Sequence, residues 1–91
     1  MKKNNWIVYL LQCSDLTYYC GSTNDLEKRI IKHNTGKGAK YTRARLPAIL
    51  ITYKSGLTKS EALKLEVKVK KQKKCHKFDF LDNYRIEKNI N

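Results

Sequence analysis

Residues 6–33 concentrate side chains whose types and spacing could do chemistry, namely Tyr9, Tyr19, Arg29 and His33. The stretch is typical of a strand, a short turn, a second strand and a helix, with Gly21 where the second strand ends. Arg29 and His33 lie one helical turn apart and beside the buried side of that helix. An arginine at the edge of a buried face is costly unless an anion or a carboxylate meets it. The hairpin and the helix therefore predict a polar site.

A later glutamate, Glu66, is the second candidate for chemistry. Residues 58–61 (TKSE) form a capping box, which predicts a helix from Lys59 to about Gln72. Glu66 falls near the middle of the apolar arc of this helix, which comprises Ala62, Leu63, Leu65, Val67 and Val69. A carboxylate there needs a cation, a metal or a set of hydrogen bonds. It is either salt-bridged to a core-edge arginine such as Arg29 or a ligand of a divalent cation, and we favour the ligand.

The charge of the chain points to a polyanionic partner. Twenty Lys and Arg residues against eight Asp and Glu give a formal net charge of +12, and the charges cluster. Residues 36–47 are predicted to be a loop that tracks a phosphate backbone through Lys37, Lys40, Tyr41, Arg43 and Arg45. Lys70, one of seven lysines between Lys64 and Lys77, joins this candidate surface. The alternatives are an ordinary exposed connection and a solvated basic surface.

The predicted fold is α/β (α+β), a small three-stranded antiparallel sheet flanked by helices, in one domain over residues 1–91 with its core at 6–81. Strands are expected at 6–12, 17–21 and 48–53, and the first is apolar on both faces. A loop centred near Ser14 would place Tyr9 opposite Tyr19 or one residue off. A helix is expected over 25–33; its candidate N-caps are Ser22, Thr23, Asn24 and Asp25, and Asn24 with Glu27 has capping-box spacing. The cluster of Phe78, Phe80 and Leu81, alternating or in a short helix, should cap the core.

Composition argues against several classes of protein. No apolar run approaches the roughly 20 residues that a membrane span needs, and the start lacks the apolar stretch of a signal peptide. We therefore expect a cytoplasmic protein without membrane contact. The three cysteines form no CxxC pair, and Cys75 with His76 alone is weak evidence for a metal site. A disulfide framework or a structural zinc site is disfavoured.

Several motifs in order resemble the GIY-YIG endonuclease superfamily, and specifically its small stand-alone bacterial members. Ile7-Val8-Tyr9 matches the first motif and Tyr19-Cys20-Gly21 the second; residues 25–42 (DLEKRIIKHNTGKGAKYT) resemble the helix and loop that follow. Residues 60–70 (SEALKLEVKVK) resemble the carboxylate helix. The first motif lacks its opening Gly-Ile, the second has a cysteine at its centre, and the late asparagine of many members has no secure match.

The resemblance implies a GIY-YIG nuclease-like fold and a divalent-metal-dependent endonuclease that hydrolyses phosphodiester bonds in DNA, in repair or recombination. It implies that one ion, usually Mg²⁺ or Mn²⁺, is held by Glu66 and contacts the scissile phosphate. Tyr9 and Tyr19 match the motif tyrosines, one of which would serve as general base, Arg29 the phosphate-stabilising arginine and His33 a histidine of many members. A tyrosine base needs a phenol pKa well below ~10, which a metal or arginine could provide.

Two alternatives to a self-sufficient enzyme remain open on the sequence. The chain could be a non-catalytic nucleic-acid-binding module, or a nuclease that needs a protein partner for targeting. The structure of the DNA, the choice between DNA and RNA, the identity of the tyrosine base and the oligomeric state are not determined by the sequence.

Overall fold

The computed structural model describes residues 4–85, which form one three-stranded antiparallel sheet and four helices. The strands are β1 (Trp6–Gln12), β2 (Tyr18–Thr23) and β3 (Ile49–Leu57), in the spatial order β2-β1-β3. The helices are α1 (Leu26–Asn34), α2 (Lys40–Arg43), α3 (Lys59–Lys70) and α4 (Lys74–Asp82). The predicted fold class is confirmed.

Strand β1 lies at the centre of the sheet and is covered on both faces, as its sequence predicts. Val8 and Leu10 pack with a cluster from β3, α3 and α4 that includes Leu57, Ala62, Leu65, Val69 and Leu81. Tyr9 and Leu11 point to the other face, where partly buried Leu26 and Ile30 of α1 pack against them. Both faces of β1 are therefore apolar because each carries its own layer of helix.

The register of the β1–β2 hairpin differs from the prediction. Tyr9 pairs with Gly21, and Tyr19 pairs with Leu11, so the tyrosines are diagonal neighbours on one face. The loop is centred on Asp15, whose carboxylate accepts hydrogen bonds from the amide and hydroxyl of Thr17 at 3.1 and 2.6 Å. Moving the centre of the loop by one residue from Ser14 moves each strand partner by two, which is why the predicted pairing was wrong.

Three local predictions, on α1, α2 and β3, also need correction. Of the four candidate N-caps, Asp25 caps α1 by accepting a hydrogen bond from the amide of Lys28 at 3.2 Å, so the capping box of Asn24 with Glu27 is wrong. The stretch 36–47 is not a continuous loop, because residues 40–43 form the short helix α2. The third strand runs on to Leu57 instead of ending at residue 53.

Helix α3 begins with the predicted capping box, since Thr58 and Glu61 exchange hydrogen bonds at 2.8 and 3.1 Å. It ends at Lys70, earlier than expected, and its buried side is narrower than the predicted arc. Leu63 and Val67 are 48% and 51% exposed, so Glu66 lies at the edge of the buried side and not near its middle.

The C-terminal apolar cluster takes the helical one of its two predicted forms. Leu81 of α4 is buried and Phe80 partly buried, whereas Phe78 is 37% exposed and does not belong to the core. None of the helices within residues 4–85 has the length and apolarity to cross a membrane.

Candidate active site

Tyr9 forms the floor of the candidate site, and Gly21 allows it to lie there. The ring packs directly against the Gly21 backbone on the neighbouring strand. A β-carbon added at Gly21 would come within 2.6 Å of the ring carbon Cζ of Tyr9. Any side chain at position 21 would therefore push the tyrosine away.

A chain of hydrogen bonds runs from Tyr9 through His33 to Thr42. The Tyr9 hydroxyl lies 3.0 Å from Nε2 of His33, and Nδ1 of the same imidazole lies 2.8 Å from Oγ1 of Thr42. All three residues are buried. Gly38 lets the connecting loop pass close over the imidazole, because an added β-carbon would approach His33 Nδ1 to 2.5 Å.

The partners of Thr42 determine the direction of these hydrogen bonds. The Thr42 hydroxyl lies 2.9 Å from the carbonyl oxygen of Ala39, which can only accept, so the single hydroxyl proton is donated there. Oγ1 must then accept from Nδ1–H of His33, which leaves Nε2 unprotonated in the neutral ring. Nε2 therefore accepts a hydrogen bond from the Tyr9 hydroxyl.

The protonation equilibria agree with this direction. Burial, together with the positive charges of Arg29 and Lys32, lowers the pKa of His33 below its usual 6.5, so the ring is neutral near pH 7. Burial raises the pKa of Tyr9 well above 10, and Arg29 offsets only part of that rise. The lowered phenol pKa expected of a tyrosine base is thus absent at Tyr9 in the free protein.

Arg29 lies in a cleft that is suited to an anion. The cleft has a volume of about 210 Å³ and is lined by Tyr19, Arg29, Lys32, His33, Lys37, Gly38 and Ala39. It contains three cationic side chains and no carboxylate. Within residues 4–85 the ion pairs are Arg45–Asp15 and Lys70–Glu66, so the alternative of an Arg29–Glu66 salt bridge is wrong. A guanidinium that has no carboxylate partner among the described residues and lies beside two ammonium groups is suited to binding phosphate.

Glu66 reaches the same region from α3. Its Oε1 accepts a hydrogen bond from Ser22, the residue after Gly21, at 2.7 Å, and its Oε2 is 2.6 Å from Nζ of Lys70. The Glu66 side chain is 19% exposed, and its hydrogen bond to Lys70 raises the pKa of that lysine. The carboxylate is therefore fixed by one hydroxyl and one cation at the rim of the site.

The oxygen donors around Glu66 fit a hard divalent ion such as Mg²⁺ or Mn²⁺ better than a softer ion such as Zn²⁺. Among residues 4–85 no group of three or more His, Cys, Asp or Glu side chains could enclose a metal ion. Mg²⁺ needs no such cage, because it keeps several waters and binds through one or two carboxylates plus substrate phosphates. One rim carboxylate beside a phosphate-binding cleft meets that requirement.

Tyr19 separates this cleft from the basic surface formed by α2 and its flanks. Its ring lies 5.2 Å from the imidazole of His33 on one side and 6.2 Å, nearly parallel, from the ring of Tyr41 on the other. A shallow depression beyond Tyr41 is lined by Lys40, Tyr41, Arg43, Ala44 and Arg45. Of the predicted nucleic-acid-binding residues, Lys37 lines the cleft and Lys70 forms an ion pair with Glu66. The predicted binding residues are therefore distributed around the candidate site.

Two polar residues of the site were missed by sequence analysis. Thr42 is buried in the hydrogen-bond chain, although its neighbours in sequence are exposed basic and aromatic residues. Ser22 was considered only as a helix cap, whereas it is the last-but-one residue of β2. Neither has a sequence signal of its own, since both depend on which distant residue folds against them.

Comparison with known proteins identifies the family of this chain. Residues 5–79 match the model of the GIY-YIG catalytic domain. A UPF0213 protein of Bacillus pumilus is 46% identical over 88 residues, which cover 97% of this chain and 90% of that protein. The solution NMR structure of a protein from E. faecalis is 35% identical with a TM-score of 0.61, over 100% of this chain and 98% of that one.

A second solution NMR structure, of a UPF0213 protein from Bacillus halodurans, is 41% identical with a TM-score of 0.52 and covers 82% of this chain and 80% of that one. The names of these relatives describe no activity, whereas the GIY-YIG domain is that of a nuclease superfamily whose members generally use divalent metals. The chain belongs to the GIY-YIG family.

Proposed function

We propose that this protein is a divalent-metal-dependent endonuclease that hydrolyses phosphodiester bonds in DNA, with Tyr9, Tyr19, Arg29, His33 and Glu66 in the active site. The observation that carries the proposal is the pairing of a tyrosine hydroxyl with an unprotonated histidine nitrogen beside a cationic cleft. A binding surface needs the cations, but it has no use for a buried proton-transfer pair next to them.

Tyr9 is proposed as the general base because its proton has an acceptor. Nε2 of His33 lies 3.0 Å from the Tyr9 oxygen and can take the hydroxyl proton. The attacking water gives its proton to the Tyr9 oxygen as the Tyr9 hydroxyl proton passes to His33, so no free phenolate has to form against the raised pKa of Tyr9. Tyr9 is fully buried in the free protein, so this role requires that DNA binding opens a path from the cleft to its hydroxyl.

Tyr19 and Arg29 are assigned to the substrate side of the reaction. Both line the cleft, where Arg29 with Lys32 would hold the scissile phosphate and stabilise the charge that develops on it. The role proposed for the Tyr19 hydroxyl is to position the attacking water. Comparison of Tyr9→Phe with Tyr19→Phe separates the roles, because loss of the base should lower kcat more than loss of a positioning group.

Glu66, with Ser22 holding its other oxygen, would bind a Mg²⁺ or Mn²⁺ ion. When bound, such an ion polarises the phosphoryl oxygen and supplies Lewis-acid stabilisation. Lys70 must give up Oε2 of Glu66 for a metal to take it, and the freed ammonium can then pair with a DNA phosphate. The proposal thus requires both Glu66 and a divalent ion for cleavage.

The test is cleavage of labelled single-stranded, duplex, flapped and branched DNA with Mg²⁺, Mn²⁺ or EDTA. Glu66→Gln and Arg29→Ala should abolish metal-dependent cleavage and leave the fold intact. Glu27→Gln and Lys28→Ala are matched controls, because both are exposed residues of α1 and should cleave like the wild type. Equal cleavage by Glu66→Gln and the wild type would refute the assignment.

The basic surface supports two further candidates, a nucleic-acid-binding module and a nuclease that needs a partner. Such a module would bind DNA with a steep salt dependence and show no scission with any metal. A partner-dependent nuclease would cleave weakly alone and faster once the partner is added. Both outcomes are distinguished by the same DNA panel.

A further inference from the structure

A second pocket lies across Tyr19 from the cationic cleft, at the outer edge of β2. Its volume is about 180 Å³, and its walls are Tyr18, Tyr19, Cys20, Tyr41, Lys70 and Lys77. Three aromatic rings and two ammonium groups surround it, with no carboxylate among the lining residues. We refer to it as the side pocket.

The aromatic wall of the side pocket is held in place. The guanidinium of Arg45 lies 4.0 Å above the ring centroid of Tyr41 and donates a hydrogen bond to the Tyr41 carbonyl oxygen at 2.8 Å. Arg45 is itself fixed by Asp15, whose carboxylate is 2.9 Å from its Nε. Tyr41 is nevertheless 38% exposed. A rigid, exposed ring loses little conformational entropy when a flat molecule stacks on it.

The opposite wall carries fixed positive charge. Nζ of Lys77 donates hydrogen bonds to the carbonyl oxygens of Val69 and Lys70, both at 3.0 Å, at the C-terminal end of α3. Lys70 is held by Glu66. Lys77 has no carboxylate partner among residues 4–85 and can meet an anion attached to whatever stacks in the pocket, and Lys70 can join it once Glu66 releases its ammonium group.

Cys20 makes the inner surface of the pocket apolar and unreactive. The residue is only 5% exposed, and burial raises the pKa of its thiol to about 12. A neutral thiol is a poor nucleophile and a poor metal ligand. The pocket is thus suited to binding and not to chemistry of its own.

We propose that the side pocket holds one unpaired nucleobase of the nucleotide next to the scissile phosphate, with the adjoining phosphate on Lys70 and Lys77. A nucleobase is flat, aromatic, uncharged and joined to an anion, which matches aromatic walls facing two cations. The pocket shares Tyr19 with the cleft and contains Lys70, which pairs with Glu66, so its occupant would lie beside the proposed site of hydrolysis. This inference rests on the proposed function.

The pocket implies a substrate class. A base in an intact duplex is paired and stacked, and it cannot enter a side pocket unless it is unpaired or extruded from the helix. The preferred substrate should therefore be DNA with an unpaired nucleotide at the cleavage position.

The experiment measures binding in EDTA, where no hydrolysis occurs. Three DNAs of equal length are compared: a duplex, the same duplex with one unpaired 2-aminopurine, and the single strand. The wild type should bind the two unpaired DNAs at least about tenfold more tightly than the duplex, and stacking should quench the 2-aminopurine. Equal affinity for all three DNAs, or an unquenched base, would overturn the proposal.

Variants of Tyr41 test the stacking directly. Tyr41→Ala should lose roughly 5- to 150-fold in affinity for the unpaired DNAs, the range expected of base–aromatic stacking, and little for the duplex. Tyr41→Phe keeps the ring and should behave like the wild type, as should Tyr53→Ala, which removes an exposed tyrosine of β3. An equal loss on all three DNAs would make Tyr41 a backbone contact and refute the base pocket.

Cleavage of the same DNAs in Mg²⁺ is scored separately, so that the two proposals fail independently. Cleavage at one rate for all three DNAs would keep the nuclease and overturn the side pocket. A preference for unpaired DNA without any cleavage would keep the side pocket and overturn the hydrolytic function.

Discussion

Replacing Thr42 by valine should disable the Tyr9–His33 pair without changing the shape of either residue. Valine has nearly the volume of threonine but no hydroxyl, so Nδ1 of His33 loses its hydrogen-bond partner at 2.8 Å. The carbonyl of Ala39 keeps two backbone donors, the amides of Thr42 and Arg43. The perturbation is therefore confined to one buried imidazole N–H.

The imidazole can respond in two ways, and both have a cost. If the proton stays on Nδ1, a buried donor is left unsatisfied, which lowers the free energy of unfolding by about 1–3 kcal/mol. If the proton moves to Nε2, His33 can no longer accept the Tyr9 proton. An energy of 1–3 kcal/mol in favour of the inactive tautomer corresponds to a roughly 5- to 160-fold loss in kcat.

The assays are urea unfolding, the ¹⁵N chemical shifts of the imidazole and single-turnover cleavage. Thr42→Ser keeps the hydroxyl and should retain the tautomer and most of the rate. A Thr42→Val variant with wild-type tautomer, stability and rate would refute the assignment of Nδ1 of His33 as the donor to Thr42.

Two further variants test the floor and the rim of the site. Gly21→Ala should displace the buried Tyr9 ring, lower the free energy of unfolding by about 1–3 kcal/mol and abolish cleavage. The control is Gly56→Ala, at φ +76, where an added β-carbon would have no atom within 4 Å; it should lower stability in urea but keep the cleavage rate. Equal cleavage rates in the two variants would contradict the steric argument. In the absence of DNA, Lys70→Met should tighten Mn²⁺ binding to Glu66 by up to about fivefold, since it removes a partly exposed ammonium group that competes for the carboxylate. Calorimetric titration measures the affinity, with Lys68→Met as the control. Unchanged affinity in Lys70→Met would mean that Lys70 does not compete with the metal ion.

Sequence analysis succeeded where local pattern decides the structure. Alternation along β1 and β2 puts Tyr9 and Tyr19 on one face regardless of a shift by two residues, so their proximity survived an error in the register. The capping box at Thr58 and the period of α1, which places Arg29 and His33 one turn apart, are also local. Such features depend on residues only a few positions away.

The errors arose where the structure is determined by a contact between residues far apart in sequence, or by a second local contact that competes with the expected one. The register depended on the carboxylate of Asp15 and on the positive φ of Leu16, 67°, which a count of turn residues does not reveal. Arg29 was the only cationic side chain considered as a partner of Glu66, as the alternative to a metal ion, although Lys70 at i+4 on the same helix was the nearer candidate. Thr42 could not be found without the fold that brings it against His33.

The charges of the cleft link substrate binding to proton transfer. Besides burial, Arg29 and Lys32 lower the pKa of His33, so in the free protein this histidine is a weak acceptor for the Tyr9 proton. A phosphate bound between the two cations would neutralise them and remove their share of the shift. His33 would then become more basic only once a substrate phosphate is in place, which keeps the base inactive until DNA is bound.

The pKa of His33 should therefore rise when inorganic phosphate or a short oligonucleotide fills the cleft. NMR titration of the His76→Gln variant follows His33 alone, since the chain has two histidines. Because the pKa of His33 is lower in the folded protein than in the unfolded chain, the unfolded chain binds more protons than the folded protein below pH 6.5. The free energy of unfolding should therefore fall as the pH drops from 6.5 through the folded pKa, and it should fall less steeply when phosphate is present. An unchanged His33 titration at saturating phosphate would show that Arg29 and Lys32 do not hold the anion, and would remove the link between binding and catalysis.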